Sequence, residues 1–215
     1  MIRVRVKFCG ITSQEDADSA VLAGADALGF VFFKKSPRYI SPEKAEKIIK
    51  NTPPFITNVG VFVDEDAIFI EDCVEDCGLS AVQLHGDEDL EYCLNFQGLR
   101  LKGVKLIKAI RVKNEKSIHI IEDCPADAFL LDTYSPDSYG GAGKSFDRSL
   151  AILAKEQGKP IIMSGGLNPD NVYDVIKEVM PYGVDASSGI ESSHGRKNVE
   201  LMEEFIEEVR RAEKD

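Results

Sequence analysis

No apolar run in this sequence is long enough to cross a bilayer. The longest, Ala27 to Phe33, falls far short of the roughly 20 residues that a membrane helix needs, so no membrane partner is expected. The start also lacks the apolar stretch of a signal peptide. Met1-Ile2-Arg3-Val4-Arg5-Val6-Lys7 alternates charge with β-branched residues and reads as a strand. Basic charge is in short supply: 26 Lys and Arg against 37 Asp and Glu leave a formal net charge of −11. Binding to nucleic acid depends on neutralising phosphates, so no nucleic-acid partner is expected of so acidic a chain. An anionic substrate would have to be held by local backbone donors and a few cations, because the field of the whole chain repels it. C-x-x-C spacing is missing, and the five cysteines are an odd number, which fits a reducing, cytoplasmic compartment. Cys73 and Cys77, four residues apart, share one face of a stretch that reads as helical. With no His or further Cys close by in sequence, they read as helix packing instead of half a metal site. Cys93 and Cys124 read the same way.

What is present fits one domain spanning residues 1–215, with 43% hydrophobic and 29% charged residues. A chain of that size buries about 70% of its unfolded surface. Punctuated apolar runs recur eight times: Val4–Cys9, Ala27–Phe32, Ile56–Val63, Ala81–Leu84, Leu106–Arg111, Ala128–Asp132, Pro160–Ser164 and Val184–Ser187. Short, continuously apolar runs are the mark of parallel strands buried on both faces. Each gap between them has room for one helical crossover. Ser13 opens a helix over Gln14 to Ala23, and Ser41-Pro42 opens another ending near Asn51. Asn168-Pro169 repeats the signature ahead of Val172, Val175, Ile176 and Val179, and a last helix from Val199 to about Glu213 buries Leu201, Met202, Phe205, Ile206 and Val209.

Eight alternating units predict an α/β fold, a single (β/α)₈ TIM barrel, with a doubly wound open sheet as the competitor. The polar residues favour the barrel, whose chemistry gathers at the C-terminal ends of several strands. The unusual residues at those ends are Cys9, Arg38 in the second loop, His85, Asp132, Gly165-Gly166 and Ser188-Gly189. Glycines at Gly165, Gly166 and Gly189, with Ser188, let backbone N–H groups approach a phosphate, and a short helix after strand eight would aim its positive end there. Tight turns alone would also use glycine, but their occurrence after both strand seven and strand eight favours a phosphate site. Gly140-Gly141-Ala142-Gly143-Lys144-Ser145 resembles a nucleotide P-loop, yet Ser138 stands where that motif needs its first glycine. The segment reads instead as a lid in a long loop after strand six.

Cys9 ends strand one and Asp132 ends strand six, so barrel closure would point both at one mouth. Cys9 could be an inert buried thiol and Asp132 a cap or turn former; opposite a phosphate site they form a proton-transfer pair. A free thiol near 8.5 is only a few per cent thiolate at neutral pH, so Cys9 needs a polar or electropositive setting. A free Asp near 3.9 is almost wholly ionised, so Asp132 must be partly desolvated or bound to substrate before it can donate.

These residues resemble a known family, the phosphoribosylanthranilate isomerases of tryptophan biosynthesis, over almost the whole chain. The resemblance is carried by Lys7-Phe8-Cys9-Gly10-Ile11-Thr12, Gly29-Phe30-Val31-Phe32, Ser36-Pro37-Arg38-Tyr39-Ile40-Ser41-Pro42, Gln83-Leu84-His85-Gly86-Asp87, Leu131-Asp132-Thr133, Ser164-Gly165-Gly166-Leu167-Asn168-Pro169 and Val184-Asp185-Ala186-Ser187-Ser188-Gly189-Ile190-Glu191. It implies Cys9 as general base and Asp132 as general acid, Arg38 on the anthranilate part, Asp185 near the ribose, and phosphate at Gly165, Gly166, Ser188 and Gly189. It also implies an Amadori rearrangement of a small phosphorylated substrate with no metal or other cofactor, in a monomer or homodimer. His85 reads as a rim residue and His119 as structural. Arg148, His194 and Asn198 depart from the family's more frequent tryptophan, proline and aspartate. The rival readings are a histidine-pathway sugar isomerase barrel, which pairs two aspartates and shows a half-barrel repeat, and a non-catalytic phosphate-binding barrel.

Overall fold

In the computed structural model each apolar run becomes a strand, and the eight pair in chain order until the last returns to the first. The structure describes residues 3–97, 103–133 and 148–215. The strands are β1 Arg5–Cys9, β2 Ala27–Val31, β3 Thr57–Phe62, β4 Ala81–Leu84, β5 Lys105–Val112, β6 Ala128–Thr133, β7 Ile161–Met163 and β8 Gly183–Ala186. All pair in parallel, and closure sets Lys7 opposite Asp185. This closed ring excludes the open sheet. Strand edges fall within a residue or two of the runs read from the sequence. At strand seven the run began one residue early, because Pro160 has no N–H to give to a ladder.

The helices are α1 Gln14–Ala23, α2 Pro42–Ile49, α3 Ala67–Cys77, α4 Leu90–Gln97, α5 Ile120–Asp123, α6 Arg148–Glu156, α7 Pro169–Val179 and α8 Val199–Lys214. The predicted caps act as such at α1 and α7: Ser13 Oγ accepts from Asp16 N–H, and Asn168 Oδ1 from Asp170 N–H. The fifth crossover is short, a 3₁₀ turn at Glu115–Ile118 and the single turn of α5, with Pro125 just beyond to stop it. His119 sits exposed at that junction and packs in no core. A hairpin that the sequence reading missed, β9 Glu191–Ser193 and β10 Arg196–Lys197, follows β8. Exposed His194 lies in its turn, Asn198 caps α8 by accepting from Leu201 N–H, and Arg148 pairs with Glu178.

Strand alternation divides the core in two. On β1, Phe8 points outward and meets Phe205 of α8 edge-on at 5.7 Å between ring centres, a contact worth about 0.5–1.5 kcal/mol beyond area burial. Its neighbour Cys9 packs with Val31 and Val61. Val59, Ala81, Ile107, Ala109, Ala128, Leu130 and Ile162 form a second cluster separate from the helix-covered one. Cys73 and Cys77 are buried in α3, and burial pushes their thiols up to about 12 and about 11, as suits inert packing. Cys93 and Cys124 are buried in contact with one another.

The strands are less uniformly apolar than their sequences suggested. Lys7, Asn58, Gln83, Lys108, Asp132 and Asp185 are all buried within them. Burying such groups is costly unless they are paired, so their partners show where the fold spends stability on a site. Among the described residues, no helix is long and apolar enough to cross a membrane. None of their His, Cys, Asp and Glu side chains form a group of three or more able to hold a metal. The predicted P-loop look-alike and lid, Gly140 to Ser145, lie outside the described residues.

Candidate active site

Cys9 is the last residue of β1, Asp132 lies one residue from the end of β6, and His85 directly follows β4. All three therefore stand at the C-terminal mouth of the barrel. Arg38 reaches it from the β2–α2 loop, while Gly165-Gly166 and Ser188-Gly189 follow β7 and β8.

Cys9 is surrounded by cations that the sequence reading did not single out. Its carbonyl oxygen accepts from Lys197 Nζ at 2.5 Å and from Ser187 Oγ at 3.1 Å. Buried Lys7, two residues back on the same face of β1, binds Asp185 Oδ1 at 2.8 Å, and Asp185 Oδ2 accepts from Ser164 Oγ at 3.2 Å. Gly29, opposite Cys9 in register, makes room for this arrangement. A Cβ there would lie 2.8 Å from Cys9 Sγ and 3.1 Å from Lys7 Cε. Burial pushes the Cys9 thiol up, Lys7 pulls it back, Asp185 pushes again and Lys197 pulls back. Burial is the largest influence and the net shift is upward, with the two lysines opposing it.

Arg38 does not stand alone at the mouth. Its Nε and Nη2 fork onto Glu191 Oε1 and Oε2, each at 2.7 Å, and Lys197 Nζ joins at 2.9 Å from Oε1. Burial alone would raise the Glu191 carboxyl; hydrogen bonds from Arg38 and Lys197 hold it below the usual carboxylate range. Lys197 is lowered by burial, which Glu191 only partly offsets. Gly10 is the enabling residue on β1's flank: at φ +83°, a side chain there would be strained and its Cβ would come within 2.5 Å of Arg38 Cδ.

His85 stands at the rim and makes contacts that its sequence position did not announce. Its Nε2 lies 3.2 Å from Asp132 Oδ2, and its Nδ1 lies 2.7 Å from Gln83 Nε2. It is bonded to the predicted acid. The loop that carries it is braced from below, where Glu88 accepts from the N–H groups of Asp64 and Gly86 and pairs with buried Lys108 at 2.6 Å.

The two glycine loops meet across the mouth. Gly165 and Gly166 are consecutive left-handed residues at φ +88° and +73°. Gly189 lies against the β7 loop so closely that a Cβ would be 2.0 Å from Leu167 O. The helix expected after β8 is only a three-residue 3₁₀ turn, Ser188–Ile190, because the chain must turn at once into the β9–β10 hairpin. Any anion there would be held by individual amides and not by a helix dipole. A cavity of about 660 Å³ opens at the other end of the barrel, between Arg5, Thr57, Lys105 and Gly183. Neither Cys9 nor Asp132 lines it.

Lys7, Gln83, Glu191 and Lys197 were not assigned roles from sequence. The one available signal was a polar residue inside an apolar run, as at Lys7 and Gln83; Glu191 and Lys197 carried none.

A family model for N-(5'-phosphoribosyl)anthranilate isomerase matches residues 6–208. The chain belongs to that family. The N-(5'-phosphoribosyl)anthranilate isomerase of Geobacter sp. (strain M21) is 49% identical over 207 residues, 96% of this chain and 98% of the relative. The crystal structure of the phosphoribosylanthranilate isomerase of Thermotoga maritima superposes with a TM-score of 0.87 at 44% identity, covering 96% of this chain and 98% of that one. A phosphoribosylanthranilate isomerase solved in complex with reduced 1-(o-carboxyphenylamino)-1-deoxyribulose 5-phosphate gives a TM-score of 0.83 at 41% identity, with 96% and 98% coverage.

Proposed function

We propose that this barrel isomerises N-(5-phosphoribosyl)anthranilate to 1-(2-carboxyphenylamino)-1-deoxyribulose 5-phosphate in tryptophan biosynthesis, with Asp132 as general acid and Cys9 as general base. The observation that carries this reading is the placing of a thiol between two lysines and a histidine-bonded carboxyl on different strands at one barrel mouth. Membership of the family supplies the substrate.

In this scheme Asp132 protonates the ribose ring oxygen. The C1–O bond breaks as the nitrogen lone pair forms a C1 iminium. Cys9 then removes the C2 proton, and the C–H electron pair flows into the iminium to give an enolamine. Return of a proton to C1 and loss of one from the C2 hydroxyl give the ketose. C2 is oxidised and C1 reduced within one molecule, an aldose-to-ketose isomerisation. The iminium is the electron sink, so the scheme needs no cofactor. Each proton transfer is worth about 10²- to 10⁴-fold.

Arg38 has two of its donors committed to Glu191, so its Nη1 edge is the part offered to the anthranilate carboxylate. Asp185 has both oxygens engaged, by Lys7 and Ser164. Its main work is to keep the Lys7 ammonium beneath Cys9, with the ribose contact secondary. The amides of Gly165, Gly166, Ser188 and Gly189 receive the phosphate.

The test is a fluorescence assay on phosphoribosylanthranilate generated in situ. The wild-type protein should discharge the signal rapidly, and Cys9→Ser and Asp132→Asn should lose nearly all turnover while still binding product. Undiminished turnover in Asp132→Asn would refute the acid, and no turnover by folded wild type would refute the substrate.

A further inference from the structure

Gln83 is fully buried in β4, yet its Oε1 has no hydrogen-bond partner among the described residues. A buried amide with an orphaned oxygen destabilises a core, and a leucine of similar volume would fill the space without that cost. Its other end explains its presence. Nε2 donates to His85 Nδ1 at 2.7 Å, which makes Nδ1 the acceptor and places the ring proton on Nε2. That proton points at Asp132 Oδ2, 3.2 Å away.

We propose that Gln83 and His85 are positioning residues for Asp132, a donor relay that commits Oδ2 to accepting and so assigns the transferable proton to Oδ1. This rests on the reading of Asp132 as general acid. The polarity runs one way, from amide to imidazole to carboxyl. Because Gln83 can only donate at the end it presents, the imidazole cannot offer a lone pair to Asp132. The carboxyl plane is thereby fixed, and the acid proton sits on the oxygen that His85 does not hold. His85 does not itself touch the reacting atoms in this scheme. The Glu88–Lys108 brace under Gly86 ties the loop that carries His85 to β5.

The test compares His85→Leu, His85→Gln, Asp132→Asn and the double variant His85→Leu/Asp132→Asn in steady-state kinetics. His85→Leu should lower kcat by about tenfold or more with KM little changed, because orientation is lost and binding is not. His85→Gln should recover most of that loss, since its amide N–H can stand where Nε2–H stood. The double variant should be no slower than Asp132→Asn, because a residue acting through Asp132 has nothing left to act on. Gln83→Leu should lower kcat in the same sense without lowering the melting temperature. The proposal is overturned if His85→Leu turns over like wild type, if His85→Gln is as slow as His85→Leu, or if the double variant loses a further factor. Full turnover in Asp132→Asn would instead overturn the acid assignment, a separate outcome.

Discussion

Replacing Lys7 by methionine tests how the fold prepares Cys9. Lys7 and Asp185 are each about 5% exposed and meet at 2.8 Å. Removing one partner of a buried pair leaves the other charge uncompensated, at a cost of about 3–5 kcal/mol. For a chain of this length each kcal/mol lowers the melting temperature by roughly 2–4 °C, so Lys7→Met should melt about 6–20 °C below wild type. The double variant Lys7→Met/Asp185→Asn removes both charges and should regain most of that loss. Cys9 behaves differently. Burial raises its thiol, and Lys7 is the largest influence lowering it, ahead of the opposing push from Asp185. Loss of Lys7 therefore moves the thiol further up in the single variant, and less far but in the same direction in the double. A shift of one unit is tenfold in thiolate at neutral pH. Iodoacetamide labelling of Cys9, followed by peptide mass spectrometry across pH, should slow about tenfold or more in Lys7→Met, with its profile displaced to higher pH. The double variant, stable again, should still label more slowly than wild type. If it labels at the wild-type rate, Lys7 serves stability alone and the electrostatic account of Cys9 is wrong.

Two other outcomes follow from the geometry. Gly189→Ala would set a Cβ 2.0 Å from Leu167 O, forcing apart the loops proposed to hold phosphate. KM should rise at least tenfold, and inorganic phosphate, used as a competitor, should inhibit correspondingly less than in wild type. Stability should also fall in alkali. Cys73 and Cys77 have folded values of about 12 and about 11 against an ordinary value of 9.0, so the folded state holds their protons longer than the unfolded one. Their contribution is complete below about pH 9 and is lost as pH rises towards 12. Urea melts at pH 8 and pH 10.5 should show that loss, and Cys73→Val/Cys77→Val should reduce it.

Local pattern was enough for the order of elements and for the ends of strands. Ser13, Asn168 and Pro169 announced helix starts through chemistry confined to a few neighbouring residues, and Val59, Leu130 and Ile162 announced strands by their burial. That Cys9 and Asp132 share one mouth was legible for the same reason: each stands at the last positions of an apolar run, and a closed barrel sends such positions to one end. The family resemblance was legible in short motifs, each confined to the end of one strand or the loop that follows it. His85 was visible as a residue but not as a partner of Asp132. The short helix expected after strand eight is a single 3₁₀ turn, because Ser188-Gly189-Ile190 leads directly into the β9–β10 hairpin.

The sequence by itself determined that eight β-then-α units follow one another, which residues end them, and that the chain is acidic enough to need local cations for an anionic ligand. Only the tertiary structure decided which charges meet. Lys7 reaches Asp185 because closure lays the first strand beside the last. Arg38 reaches Glu191 because a glycine at position 10 lets its side chain pass. His85 reaches Asp132 across β5. A hydrophobic period records which face of a strand is buried, and it is a property of neighbours in the chain. The pairing of buried charges depends on barrel closure and register between strands far apart in sequence, and no local pattern encodes that distance.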